Sequence, residues 1–135
     1  MNAKKQLEEG YNLTPNFDEK GLIPVITSDY QSKDILMFAY MNAESLALSL
    51  EYGEAVYYSR SRQEIWHKGK SSGQIQKIIE MRIDCDQDVI LMMVTPQGNG
   101  GACHVGYRSC FFRKIEQNTE TKEWQLTYVE KDKLS

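Results

Sequence analysis

Ile75-Gln76-Lys77-Ile78-Ile79-Glu80-Met81-Arg82-Ile83-Asp84, followed after four residues by Val89-Ile90-Leu91-Met92-Met93-Val94-Thr95, decides the fold class. The first stretch alternates and is rich in residues that suit a pleated sheet. The second is a continuous apolar run of strand length, the pattern of a strand buried on both faces. Outward from this pair the chain keeps the same character. Gly21–Ile26, Asp34–Met41, Ala55–Ser59, Ile65–His67, Cys110–Glu116 and Trp124–Glu130 each read as short strands. One helix interrupts them. Asn42 is a plausible N-cap with Glu44 in the first turn, the helix runs from Ala43 to about Tyr52 with Leu46, Leu48 and Leu50 buried only in part, and Gly53 stops it. Many short strands with one or two helices predict a β-rich α+β fold with a mostly antiparallel sheet. Residues 1–20 are polar and read as partly loose, with a turn at Pro15-Asn16.

The 135 residues suit one domain, taken as 1–135, and contain no repeat, low-complexity tract or linker. The N-terminal stretch lacks the apolar core of a secretory signal, and no apolar run approaches a membrane span. Three cysteines, an odd count, fit reduced thiols in a cytoplasmic protein better than a disulfide framework. Net charge is −3 and the isoelectric point about 5.4, without the basic excess of a polynucleotide binder. Charge is unevenly placed, however. Arg60, Arg62, Lys68 and Lys70 precede the acids Asp84, Asp86 and Asp88, which suits a phosphorylated small molecule with metal ions.

Asp84-Cys85-Asp86-Gln87-Asp88 carries the most chemistry. In an extended chain the three carboxylates would share one face, with Cys85 and Gln87 on the other. Clustered carboxylates suit a hard cation such as Mg²⁺, Ca²⁺ or Mn²⁺, while the thiol offers soft sulfur. A solvated acidic turn explains the same five residues. An EF-hand loop does not, because Val89 and Thr95 stand where its glycine and closing glutamate belong.

Downstream, Cys103 and Cys110 flank His104 after the glycine-rich run Gly98–Gly101, which matches no nucleotide-binding glycine motif and reads as a flexible turn. With Cys85 they make three thiols. Three ligands lean toward an open, catalytic zinc site, four toward a closed structural one, and His104 is available as the fourth. Three ordinary buried cysteines also remain open. His104 is the preferred general acid/base, ahead of His67. The segment Ser59–Gln74 combines cations, hydroxyls and glycines, the parts of a phosphate site, though a solvated hairpin has the same composition. Arg60, Ser61, Arg62, Lys68 and Ser72 are its candidate substrate contacts. Trp66 reads as core.

Four motifs in order resemble phosphoribosyl-AMP cyclohydrolase of histidine biosynthesis. They are Asp84-Cys85-Asp86-x-Asp88; Ala102-Cys103-His104-x-Gly106-x-Arg108-Ser109-Cys110-Phe111; the serine/arginine and tryptophan-x-lysine-glycine segment from Ser59 to Gln74; and Ile35–Asn42. They span about residues 20 to 115. The resemblance implies a Zn²⁺- and Mg²⁺-dependent, intertwined homodimer acting on a small nucleotide, with no nucleic-acid or membrane partner. It implies Asp84, Asp86 and Asp88 as Mg²⁺ ligands, and a zinc site taking Cys85 from one subunit and Cys103 and Cys110 from the other. It implies that the N1–C6 bond of the adenine ring is hydrolysed. His104 is then expected to move protons, with Arg108 among the substrate-binding residues. Relatives exist with a fused pyrophosphatase domain, and this chain is expected to be the monofunctional form. It departs from the family pattern at Val105, where threonine is usual, and in the loop Gln97–Gly101.

Overall fold

The computed structural model describes residues 2–134. Two helices and eight strands follow in the order α1 (Ala3–Glu9), β1 (Ile23–Asp29), β2 (Ile35–Met41), α2 (Ala43–Tyr52), β3 (Val56–Ser59), β4 (Glu64–His67), β5 (Gln76–Ile83), β6 (Ile90–Pro96), β7 (Arg113–Gln117) and β8 (Trp124–Tyr128). The fold is α+β. Six strands form one sheet in the order β4-β3-β2-β1-β6-β5, and β7-β8 form a separate two-stranded sheet. All pairings are antiparallel except β1 with β6.

The apolar run that predicted a doubly buried strand is β6, seated between β1 and β5, with Ile90, Met92, Met93 and Val94 buried. The alternation in β5 breaks where Ile78 and Ile79 adjoin. The register shifts between Ile78 and Glu80 at that point, and Ile79 turns outward. This bulge absorbs the extra apolar residue without inverting the strand. The core gathers Ile23 and Val25, Leu36, Met37 and Met41, Leu46, Tyr57, and Ile90, Met92 and Val94.

The helix α2 begins and ends where the sequence places it. The Asn42 side chain accepts from Ser45 N, and the Ser45 hydroxyl accepts from Asn42 N, each at 2.8 Å, closing a reciprocal cap. Gly53 ends the helix at φ +69°. Ser49 Oγ then bonds both N and O of Val56, stitching the helix to β3.

Within the polar N-terminal segment, residues 3–9 form a helix and residues 12–16 dock on Gln87. Two expectations require correction. The turn expected at Pro15-Asn16 falls instead at Glu19-Lys20, where the Asp18 carboxylate accepts from Lys20 N and Leu22 N. The strand expected from Cys110 starts only at Arg113. Cys110 N is committed to Leu36 O and Ser109 Oγ to Ile35 O, which fastens this segment to β2 rather than to β8.

Candidate active site

The loop 102–110 presents the downstream cysteines. Ala102 N donates to Arg108 O, Cys103 N to Tyr107 O, and Gly106 N back to Cys103 O, forming a tight turn with His104 and Val105 exposed at its tip. Gly106 holds φ +110°, which favours glycine. Leu134 N donates to Gly106 O, and Tyr107 stacks on Phe112 at 3.9 Å, so the C-terminal segment and an aromatic pair brace the turn. The result sets the Cys103 and Cys110 thiols close enough to influence each other.

Lys68 faces this pair. Its residue is 8% exposed, and Nζ donates to Ala102 O at 2.9 Å. Burial pulls the Lys68 ammonium below its usual range, against the upward pull of Cys110 and Cys103. Although Cys110 presents surface to solvent, desolvation of its thiol and the adjoining Cys103 sulfur push its pKa up to about 11, while Lys68 pulls the other way. Without a cation, the Cys110 thiol is thus held in its protonated form. A metal that takes thiolates would reverse that balance.

Two clefts meet at His104. One, of about 290 Å³, is lined by Lys68, Ser72, Gln74, Cys103 and His104 among others. The second, of about 440 Å³, is lined by Ser59, Ser61, Arg62, Trp66 and His104. The structure thereby brings together His104, Cys103, Lys68 and Ser72 in one cleft and Ser61 and Arg62 in its neighbour. Trp66, expected in the core, instead lines the second cleft at 37% exposure, with its ring 5.4 Å from Tyr57 and the Lys68 ammonium 5.2 Å from its centroid. Its short strand β4 lies at the sheet edge.

Arg60 stands apart. Its guanidinium lies 4.2 Å over the Tyr40 ring, and it lines a further cleft with Lys20, Leu22, Tyr58 and Gln63. Arg108 also lies outside the His104 clefts. It donates to Asp34 at 2.6 Å and approaches Glu130 at 3.5 Å and Asp29 at 3.9 Å, tying the β1–β2 connection to the C-terminal segment. His67 is anchored by Glu54 at 2.8 Å and stacked on Tyr52. Gln74 and Asn99, which line the first cleft, were not singled out by the sequence reading. Only the glycine-rich loop beside Asn99 hinted at them, through the close approach of Gly98 to Gly73 O.

The acidic motif lies in a turn, not on a strand. β5 ends at Ile83, and Gln87 N donates back to Asp84 O at 3.0 Å. The carboxylates converge by chain reversal rather than by alternation, with ligand oxygens of Asp84, Asp86 and Asp88 all within 4.8 Å of one another. Gln87, expected to share a face with Cys85, is buried whereas Cys85 is exposed. Asp84 Oδ1 accepts from Asp88 N at 3.0 Å and Val89 N at 3.1 Å. Desolvation raises the Asp84 pKa, but these donors outweigh it and hold the carboxyl below its ordinary value. Asp88 moves oppositely. Its hydrogen bond with Asp86, then desolvation, then Asp84 raise it to about 6. Below about pH 6 the Asp88 carboxyl therefore keeps a proton, chiefly through its hydrogen bond with Asp86, and a divalent cation would compete with that proton.

Among the described residues, this triad is the one cluster of three or more candidate metal ligands. Cys85 does not join Cys103 and Cys110 within one chain. It lines a separate cavity of about 280 Å³ beside Leu7, Tyr11 and Leu13.

The sheet, the thiol-bearing cleft and the carboxylate turn together make a small α+β protein whose candidate reactive groups sit in loops at strand ends. Comparison with known proteins narrows the class. The sequence pattern of the family described as phosphoribosyl-AMP cyclohydrolase matches residues 37–112. The chain is similar to the phosphoribosyl-AMP cyclohydrolase of Rhodopseudomonas palustris strain BisA53, 49% identical over 132 residues, covering 98% of this chain and 88% of the relative. It is 54% identical over 113 residues to that of Caulobacter sp. strain K31, covering 84% of each chain. It is 51% identical over 114 residues to that of Caulobacter vibrioides strain NA1000, covering 84% of this chain and 82% of the relative. The chain belongs to the phosphoribosyl-AMP cyclohydrolase family, hydrolases of a step in histidine biosynthesis.

Proposed function

We propose that this chain hydrolyses the N1–C6 bond of phosphoribosyl-AMP, opening the adenine ring to the phosphoribosyl-formimino-AICAR ribotide, in the cytoplasm and as a Zn²⁺- and Mg²⁺-dependent homodimer. The observation that carries this reading is the meeting of His104, Cys103 and buried Lys68 at one cleft, with Cys110 beside Cys103 and with His104 shared by the cleft of Ser61 and Arg62. The donors fit the metals. Paired thiols offer the soft sulfur that suits Zn²⁺, and a convergent carboxylate triad offers the hard oxygens that suit Mg²⁺. Cys103 and Cys110 would hold zinc together with Cys85 of a second copy, since Cys85 lies elsewhere in its own chain. Bound Zn²⁺ would supply Lewis acidity, lowering the pKa of water to roughly 7.

The remaining work falls to the side chains. The ribosyl substituent on N1 leaves C6 electron-poor, so addition of water there produces a tetrahedral carbon. His104, exposed at the tip of its turn, accepts a proton from the adding water and returns one to N1 as the C6–N1 bond breaks. Arg62, with Ser61 beside it, binds a phosphate at the neighbouring cleft. Ser72 supplies a hydroxyl at the first cleft. Lys68 keeps a cation next to the thiols, offsetting the net −1 charge of three thiolates on Zn²⁺. Arg60 and Arg108 would need a second copy or a moved loop to touch the same substrate.

Mixing inactive Cys85→Ala and Cys110→Ala subunits tests the shared site. Turnover of phosphoribosyl-AMP should return in the mixture, because half of the sites in a mixed dimer regain all three cysteines. A mixture that stays inactive, or a chain that is monomeric by light scattering, contradicts the shared site.

A further inference from the structure

We infer that Gln87 is a positioning residue: it latches the N-terminal segment 7–16 onto the Asp84–Asp88 turn and so holds the three carboxylates in their convergent shape. The inference rests on the reading of that triad as a cation site. Gln87 lies between two of the acids, yet it is 5% exposed and points away from them into the protein. Its backbone is left-handed at φ +57°, a conformation uncommon for a side chain of this kind. That conformation makes the turn. Gln87 N reaches back to Asp84 O, and the following N–H groups of Asp88 and Val89 then meet the Asp84 carboxylate.

The N-terminal segment supplies what holds it. Gln87 Oε1 accepts from Thr14 N at 2.8 Å, and Gln87 O accepts from Asn16 N at 2.7 Å. Gln87 Nε2 donates to Leu7 O at 3.0 Å and to Asn12 O at 3.2 Å. Both amide hydrogens, the amide oxygen and both backbone groups are therefore engaged, four of these bonds running to a segment more than 70 residues distant in sequence. The same segment walls the cavity onto which Cys85 opens, through Leu7, Tyr11 and Leu13. Residues 7–16 thus act as a strap that shapes both the carboxylate turn and the surroundings of Cys85. A partner that only packed against the turn would not need to satisfy every polar group of one side chain.

The test uses the full chain and Mn²⁺ as the probe, with binding followed by electron paramagnetic resonance. Amide exchange at Thr14 and Asn16 is measured in parallel, and Asp86→Asn serves as the triad control. Gln87→Ala should bind Mn²⁺ about 10- to 100-fold more weakly, the usual effect of removing a group that orients metal ligands, and should lose protection at Thr14 N. Gln87→Gly relaxes the left-handed backbone but removes the latch, so it should show the same loss of affinity. It also serves as the second variant should Gln87→Ala fold poorly. Gln87→Glu keeps an acceptor for Thr14 N but sets an oxygen against the Leu7 and Asn12 carbonyls, and should resemble Gln87→Ala. Wild-type affinity in Gln87→Gly or in folded Gln87→Ala would overturn the latch. A wild-type chain whose Mn²⁺ binding does not depend on Asp86 would overturn the triad reading itself, and the positioning role with it.

Discussion

Tyr57→Phe isolates a polar network beneath the cleft. Tyr57 is fully buried, its hydroxyl 2.8 Å from Thr27 Oγ1 and donating to Gln76 Oε1 at 2.5 Å. Gln76 is also buried, and its Nε2 donates to Met37 Sδ at 3.3 Å. The surroundings are dry enough that burial, against the Thr27 hydrogen bond, raises the phenol well above its ordinary range. Deleting the hydroxyl removes the one side-chain partner that Thr27 Oγ1 and Gln76 Oε1 each have among the described residues, and leaves the buried amide oxygen without a donor. Stranding one buried acceptor costs about 1–3 kcal/mol, and the lost hydrogen bonds add about 1 kcal/mol, for a total of about 2–4 kcal/mol. At about 4 °C per kcal/mol for a chain of this length, Tm should fall by about 8–16 °C. Circular dichroism melts at one fixed protein concentration read this directly. A second arm makes the reasoning specific. Adding Gln76→Leu to Tyr57→Phe removes the stranded acceptor, so the double variant should be more stable than the two single losses summed, by about 1 kcal/mol or more. Strict additivity, or a Tyr57→Phe variant within about 0.5 kcal/mol of wild type, would refute the account of this network.

The carboxylate turn and the thiol cleft give further outcomes. Asp88 has a folded pKa of about 6 against roughly 3.9 unfolded, so the folded chain holds the extra proton and stability drains away as pH rises across about pH 4 to 6. Asp84 contributes oppositely, its stabilisation being present above its unfolded pKa and lost as pH falls through the depressed folded one. The Tm difference between the metal-free wild type and Asp88→Asn should therefore shift against the wild type from pH 4 to pH 7, and Mg²⁺ should raise the wild-type Tm more at pH 7 than at pH 5. A Mg²⁺ effect that does not grow with pH would count against the triad. Cys103→Ser should lose tight zinc and activity together in a competition assay with a chromophoric chelator, whereas His104→Ala should keep zinc and lose about 10²- to 10⁴-fold in kcat, the range for a proton-transfer group. Loss of zinc in His104→Ala would make His104 a ligand instead.

Much of the fold was legible because burial on a sheet leaves a period-two trace. The run Val89–Thr95 gave β6, Asn42 and Gly53 bracketed α2, and the alternation of Ile75–Asp84 gave β5. What escaped were features set by distant contacts. The helix Ala3–Glu9 buries no residue and so carries no apolar stripe, and the docking of residues 12–16 is written in Gln87, more than 70 residues away. The aspartates were grouped correctly for the wrong geometric reason. Alternation and a left-handed turn both gather residues two apart, and only the turn accounts for Asp88 N meeting the Asp84 carboxylate. In the cleft, Cys103, His104 and Lys68 were readable from residue type. Gln74, Asn99 and the outward turn of Trp66 depend on how the loop 69–74 meets Gly98, which no local pattern encodes.

The central claim is that the His104 cleft, metal-loaded, opens the adenine ring. The most direct measurement is turnover of phosphoribosyl-AMP by the purified full chain supplied with Zn²⁺ and Mg²⁺, with and without a chelator. The account predicts ring opening that stops on chelation and returns when Zn²⁺ and Mg²⁺ are restored. No turnover after metal loading, or turnover indifferent to the chelator, would contradict it.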